Sequence, residues 1–436
     1  MRIPLLSGAA LLAVMIAFGA WDEAGGGVPA FPGAEGFGAE TPGGRGGKVL
    51  IVSNLNDSGP GSFRAACEAK GPRIVVFRVS GLIDLQSPVR IVEPFITIAG
   101  QSAPGAGICL KRRGLLIDTH DVAVRHLRSR PGDLSGEEVD GLAIGGSSKR
   151  VIVDHCSVSW AVDENLSPSG NIADVTVQWS IISEALNRSV HGKGAHGYGS
   201  LVRASGGVSL HHNVWASNAS RNPRPGDNYG RPPYPVIDVR SNVIDNPGGG
   251  NVIGENVTIN YAGNYIKPGR DTNLQAMFGP TAKYSIRAFV AGNVVEGMPD
   301  FNRWFLKPVE MLDAAAETPR ITATDARTEL LRVLEGAGAT LPARDAVDVR
   351  VVAGVRNGTG RIIDSQWEVG GWPEYRSAPP PADSDRDGMP DEWERSHRLD
   401  PKDAKDASLA AKPGGYSNIE VWLESIGASA RSRTKR

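Results

Sequence analysis

Short apolar runs return along this chain at a loose interval. Phe95–Ile98, Val122–Arg125, Val151–Asp154, Val175–Gln178, Val208–His211, Val236–Val239 and Val257–Asn260 begin 21 to 33 residues apart. Each is apolar or alternating and is mostly bounded by Gly, Asn or Ser, so each reads as a strand. A second series keeps step with the first: Asn213, Asn242, Asn264 and Asn293 stand in His-His-Asn-Val, Arg-Ser-Asn-Val, Ala-Gly-Asn-Tyr and Ala-Gly-Asn-Val. Asparagine tolerates left-handed backbone and bonds its neighbours through its side-chain amide. Repeated once per coil, it would stack into an amide ladder at a tight turn. A repeat of this length built on strands predicts an all-β solenoid, the right-handed parallel β-helix. A β-sandwich would show hairpin dipeptides such as Asn-Gly, which are scarce in this region.

From about residue 300 the pattern changes. Ala326–Glu335 has the spacing of an amphipathic helix, and the segment through Tyr375 is expected to pack along the outside of the coils. Pro379, Pro380 and Pro381 make a stiff linker within 376–382. An acidic tail follows over 383–428, with a further helix expected over Tyr416–Ile426. The β-helix domain is thus placed at 28–375.

Composition fixes the compartment. Met1-Arg2, an apolar run from Ile3 to Ala17 and small residues before Trp21 read as a secretory signal peptide over 1–20. The mature protein is therefore expected to be secreted, periplasmic or on the cell surface, monomeric and free of the membrane. Three cysteines (Cys67, Cys109, Cys156) lack any Cys-x-x-Cys spacing and read as small buried hydrophobes. A net charge of −1, with basic residues clustered only at the extreme C-terminus, argues against nucleic acid as a partner.

Candidate chemistry falls in three places. In the tail, Asp383, Asp385, Asp387, Gly388, Met389, Asp391 and Glu394 take positions 1, 3, 5, 6, 7, 9 and 12 of an EF-hand-like calcium loop. In the coils, Asp140, Asp163 and Glu164 are placed to converge on one calcium ion if the last two lie in a turn, because neighbouring strands are only about 5 Å apart. Asp154 and His155 read as a structural pair, and Asp133 as a turn residue. Further on, His191, Lys193 and His196 lie among glycines, where a ligand can approach the backbone closely. Arg221 and Arg224 then flank Pro223. Such arginines either hold an anion or include one made basic by its surroundings.

Several of these stretches occur in the order seen in one family. Val153-Asp154-His155, Ala161–Asp163, Val175–Ser180 and Ser220–Pro223, with Phe31–Phe37, Gly43–Gly47, Leu55–Ser62 and Ile98–Pro104, resemble the bacterial pectate lyases of polysaccharide lyase family 1 over residues 28 to 375. The resemblance implies a right-handed parallel β-helix and calcium-dependent β-elimination of polygalacturonate, an acidic polysaccharide. It also implies Arg221 as the base, Lys193 as a catalytic carboxylate-binding residue, and Asp140, Asp163 and Glu164 as calcium ligands. The family's second arginine falls at Gly226, so Arg224 takes over substrate grip, with His191 and His196 as further substrate contacts. The tail resembles small calcium-stabilised appendages of secreted enzymes.

Two other readings stay open on sequence. A pectin hydrolase on the same fold would need carboxylates on both sides of the scissile bond, and adjacent Asp163 and Glu164 do not flank one. A non-catalytic polysaccharide-binding β-helix would keep the asparagine series without needing Arg221, Lys193 and the carboxylates together.

Overall fold

A computed structural model describes residues 27–227, 232, 234–249, 256–273, 285–298 and 309–433; the N-terminal apolar run lies outside these. The apolar runs become successive strands of one eleven-stranded, wholly parallel sheet. Ile96 pairs with Val122, Val122 with Val151, Val151 with Val175, and Val175 with Val208. Because side chains alternate across a strand, one apolar column points inward from every coil. Ile98, Val124, Val153, Val177, Leu210, Val239 and Tyr261 form the next column, all buried. Each such side chain contributes about 1.5–3 kcal/mol by leaving water.

A second sheet of nine short strands runs beside it, from Gly81–Asp84 to Val294–Val295. The turn from first sheet to second is where the asparagines lie. The left-handed residue is the one before each asparagine: His212, Ser241, Gly263 and Gly292 have φ between 54° and 65°. That turn frees each asparagine amide to reach the next coil. Asn242 Oδ1 accepts from the backbone N–H of Asn213 at 2.9 Å, Asn264 Oδ1 from Asn242 at 3.0 Å, and Asn293 Oδ1 from Asn264 at 2.9 Å.

The third face carries Val89–Ile91, Leu115–Ile117, Leu142–Ile144 and Leu166–Pro168 in parallel, followed by Leu201–Ala204 paired with Arg224–Asp227. A bridge from Ser169 to Arg203 joins these last two strands to the other four.

The first two sheets are roofed and the third is open to solvent. Helices Ala326–Gly336 and Ala346–Asn357 cover the second sheet, where Val333, Leu334, Val351 and Val355 pack on Trp160, Ile181, Val214 and Val243. Arg130 ties this cover down, donating to Asp345 at 2.6 Å and Asp348 at 2.7 Å. The outer surface of the first sheet is covered by the tail at its N-terminal strands, through Met389, Ala407, Ile419, Trp422 and Leu423 against Ile74, Val76 and Ala99, and by Phe31 and Ala34 over Ala123 and Ile152. On the third face, Arg90 is exposed and Leu116 and Ala143 are half-buried.

Helices form at Ala326–Gly336 and Asn418–Arg433, as the spacing predicts. Ala346–Asn357 is a helix that its β-branched sequence conceals; the Asp345 side chain caps its start, and Gly358 at φ 64° ends it. The three cysteines are buried and unpaired.

Candidate active site on the open face

The site begins where the chain turns onto the third sheet. On one coil Asp140 precedes Gly141; on the next, Glu164 sits beside it, its N–H donating to Asp140 Oδ1 at 3.0 Å. On the following coil Tyr198 bridges Glu164, and on the one after, Ser220 bridges Tyr198. Arg221 comes next, at φ 58°. Four coils thus line up Asp140, Glu164, Tyr198 and Arg221, although 81 residues separate the ends.

Asp163 lies in the bend entering the sheet and Glu164 at its first bridge. Oxygens of Asp140, Asp163 and Glu164 all fall within 4.8 Å of one another. Packing carboxylates this closely penalises their charge. Burial, and then the neighbouring Asp163, push the Asp140 carboxyl up to about 7. A divalent cation with hard-oxygen preference fits this donor set and would relieve the repulsion.

Arg221 pairs with Glu164 Oε1, and its guanidinium carbon stands 4.3 Å from the centre of the Tyr198 ring. Burial and then the charge of Arg224 lower the proton affinity of Arg221, while Asp163 and Asp140 oppose them. Arg224 is the neighbouring cation that acts on it. Lys193 is exposed in the loop beside this cluster, with its backbone N–H donating to His191 Nδ1 at 3.0 Å.

His191 and His196, read from the sequence as substrate contacts, are buried and turned toward Asp163. Their rings stack with centres 3.8 Å apart, and His196 Nε2 lies 2.6 Å from Asp163 Oδ1. In this arrangement they hold the carboxylate. Asp154 accepts from Arg125 and pairs with His155 at 2.8 Å, a structural role; Asp133 accepts from Gln366.

Two elements of the site carry no sequence signal. One is Tyr198, whose place appears only from the register. The other is a second amide network beneath the surface: Asn165 donates to Asn218 Oδ1 at 3.0 Å, and Asn218 donates to Asn222 Oδ1 at 2.9 Å. It connects the residue after Glu164 to the residue after Arg221, which fixes carboxylate and guanidinium relative to each other. Gly226 pairs in register with Arg203, which stands on the half-buried, outward-facing side of its strand.

In the tail, Asp383, Asp385 and Asp387 come together within 4.8 Å. Glu394 joins Asp387 in a second cluster with Asp406, a residue outside the twelve-residue loop. Asp391 is occupied elsewhere, accepting from Ser384 N at 2.7 Å, Ser384 Oγ at 2.8 Å and Arg395 at 3.0 Å.

No protein-family profile matches the chain. A probable pectate lyase C of Aspergillus flavus is 36% identical over 421 residues, covering 91% of this chain and 94% of that protein. Its counterpart in Aspergillus fumigatus is 34% identical over 435 residues, covering 95% and 97%. Both relatives are fungal. Among solved structures, a thermostable pectate lyase superposes with a TM-score of 0.53 at 15% identity, over 70% of this chain and 97% of its own. A pectate lyase bound to a hexasaccharide gives 0.52 at 13%, over 73% and 99%. These two likenesses establish the solenoid.

Proposed function

The chain belongs to the pectate lyase family and is a polysaccharide lyase, and from that premise we propose calcium-dependent β-elimination of α-1,4-linked polygalacturonate with Arg221 as the base. The observation that carries this reading is the alignment, on four successive coils of the open face, of three carboxylates with a partly buried arginine of lowered proton affinity.

Asp140, Asp163 and Glu164 would hold the calcium ion, with His191 and His196 orienting Asp163. The bound ion supplies positive charge to the uronate carboxylate, acidifying the adjacent C5 and stabilising the enolate-like charge that develops there. Lys193 grips the same carboxylate. Arg221, in its neutral form, takes the C5 proton; the C5–H electrons become the C4–C5 double bond, and the C4–O bond breaks to release the leaving chain. Arg224 has two tasks, binding uronate carboxylates further along the groove and suppressing the charge on Arg221. To Arg203, the register partner of Gly226 on the preceding coil, we assign the second arginine of the substrate grip.

Hydrolysis fits the geometry poorly. A glycosidase needs two carboxyl groups on opposite sides of the scissile bond, whereas Asp140, Asp163 and Glu164 gather in one cluster. The tail loop Asp383–Glu394 is read as a second calcium site, and the N-terminal apolar run as the export signal of a secreted enzyme.

The test is polygalacturonate incubated with the purified protein at alkaline pH, with calcium and then with chelator. The unsaturated product absorbs in the ultraviolet, so calcium-dependent growth of absorbance that is lost in Arg221→Ala supports the reading. New reducing ends without absorbance would overturn it in favour of hydrolysis.

A further inference from the structure

The tail site differs from the loop that the sequence announces. Asp383 Oδ2 accepts from Arg78 at 2.9 Å, Asp385 Oδ1 from the Asp387 N–H at 3.3 Å, and Asp387 Oδ1 from the Met389 N–H at 2.8 Å. Each of the three has its other oxygen buried with no hydrogen-bond partner. Glu394 is fully buried, and both of its oxygens lack a partner. Asp406, buried as well, accepts from the Asp400 N–H at 3.2 Å with Oδ2 and leaves Oδ1 without a partner. Six carboxylate oxygens from five residues, in two clusters that share Asp387, are therefore buried with nothing to satisfy them. Buried carboxylates are paired or bind metal, and among the described residues the ion pair made by these five is that of Arg78 with Asp383. Six oxygen donors are the lower end of calcium's usual set.

The same residues form the seam between tail and solenoid. Met389, between two ligands, is fully buried against the first sheet. A Cβ on Gly388 would meet Val49 and Val76, so only glycine allows this approach. Ala407, beside Asp406, packs in the same cluster, and the Asp406 carbonyl accepts from Asn418 at the start of the final helix.

We propose that Asp406 replaces Asp391 as a ligand and completes an oxygen-only calcium site with Asp383, Asp385, Asp387 and Glu394, and that the ion seated there latches the tail onto the N-terminal coils. This rests on the reading of the loop as a calcium site and adds to it a ligand from a separate turn and a mechanical role. The ion ties the loop 383–394, the turn at 400–408 and, through them, the final helix to the strands Lys48–Val52, Arg73–Phe77 and Ile96–Ala99.

The experiment uses the full chain in an Asp140→Asn background, which weakens the site on the open face. Calcium is titrated into chelator-treated protein by calorimetry, with thermal unfolding and limited proteolysis of the 376–382 segment read alongside. Asp406→Asn should weaken tail binding by about 10- to 100-fold, the loss expected for one charged ligand, and abolish protection of the linker by calcium. Asp391→Asn should leave both unchanged. If Asp406→Asn binds as the parent does while Glu394→Gln does not, the loop is a calcium site without Asp406 and the proposal falls. If Glu394→Gln also binds normally, the calcium-loop reading itself falls. Where Asp406→Asn does not fold, Asp406→Glu reads the same affinity with the charge retained and the oxygen displaced.

Discussion

Arg203 and Gly226 face each other as register partners across the parallel ladder of the open sheet. The glycine carries no side chain, and the arginine one coil earlier stands on the half-buried side of its strand. If Arg203 binds a uronate carboxylate, Arg203→Ala should raise KM for polygalacturonate about 10- to 100-fold with kcat nearly unchanged, the signature of lost charge-assisted binding. Steady-state kinetics on the variant decide this.

Arg221 should behave differently. Arg221→Lys keeps a cation but loses a base of matched position, so kcat should fall about 10²- to 10⁴-fold. Burial and Arg224 lower the proton affinity of Arg221, and its neutral fraction still grows about tenfold per pH unit below its pKa. The rate of the parent enzyme should therefore climb steadily into the alkaline range. A maximum on the acid side of neutrality would remove Arg221 from the role.

Asp140 contributes charge more than shape. Asp140→Asn should raise the calcium concentration needed for half-maximal rate by at least about tenfold, while saturating calcium restores much of the rate. Initial rates against free calcium give both quantities.

Asp245 lies under the helical cover of the second sheet, and burial pushes its carboxyl up to about 7. A carboxyl held neutral by the fold gives its full stabilisation below its unfolded value near 4 and loses it as pH rises through about 7. Unfolding temperature should thus decline over that window, and Asp245→Asn should flatten the decline.

Arg130 is fully buried between Asp345 and Asp348, with the Tyr375 hydroxyl 2.8 Å away. Removing one partner of such a cluster leaves buried charge without compensation. Arg130→Met should cost about 3–5 kcal/mol in chemical denaturation.

The sequence was legible where one physical constraint repeats. Inward Val and Ile columns must recur on every coil of the first sheet, and Asn213, Asn242, Asn264 and Asn293 must recur at its turn. The second sheet was not legible, because strands as short as Ser157–Ser159 or Val214–Ala216 carry too few residues for alternation to register. Charged residues in the site stood out by type, so Asp140, Asp163, Glu164 and Arg221 could be proposed together. Tyr198 and Asn218 could not, since their roles arise from which coil lies beside which. Asp406 was hidden because a loop motif ends at its twelfth position, whereas the cavity recruits a donor twelve residues further on. His191 and His196 were seen, but which way their rings turn depends on Asp163.

The tail rests on strands from the first coils, and this orders events during biosynthesis. Ile74, Val76 and Ala99 emerge from the ribosome some 300 residues before the Ile419 and Trp422 that shield them. Until those arrive, a nascent or truncated chain presents an oily, strand-rich surface to its surroundings, the kind of surface chaperones recognise and aggregates grow from. Loss of the last few dozen residues would then reduce the yield of folded enzyme even though the catalytic coils are complete.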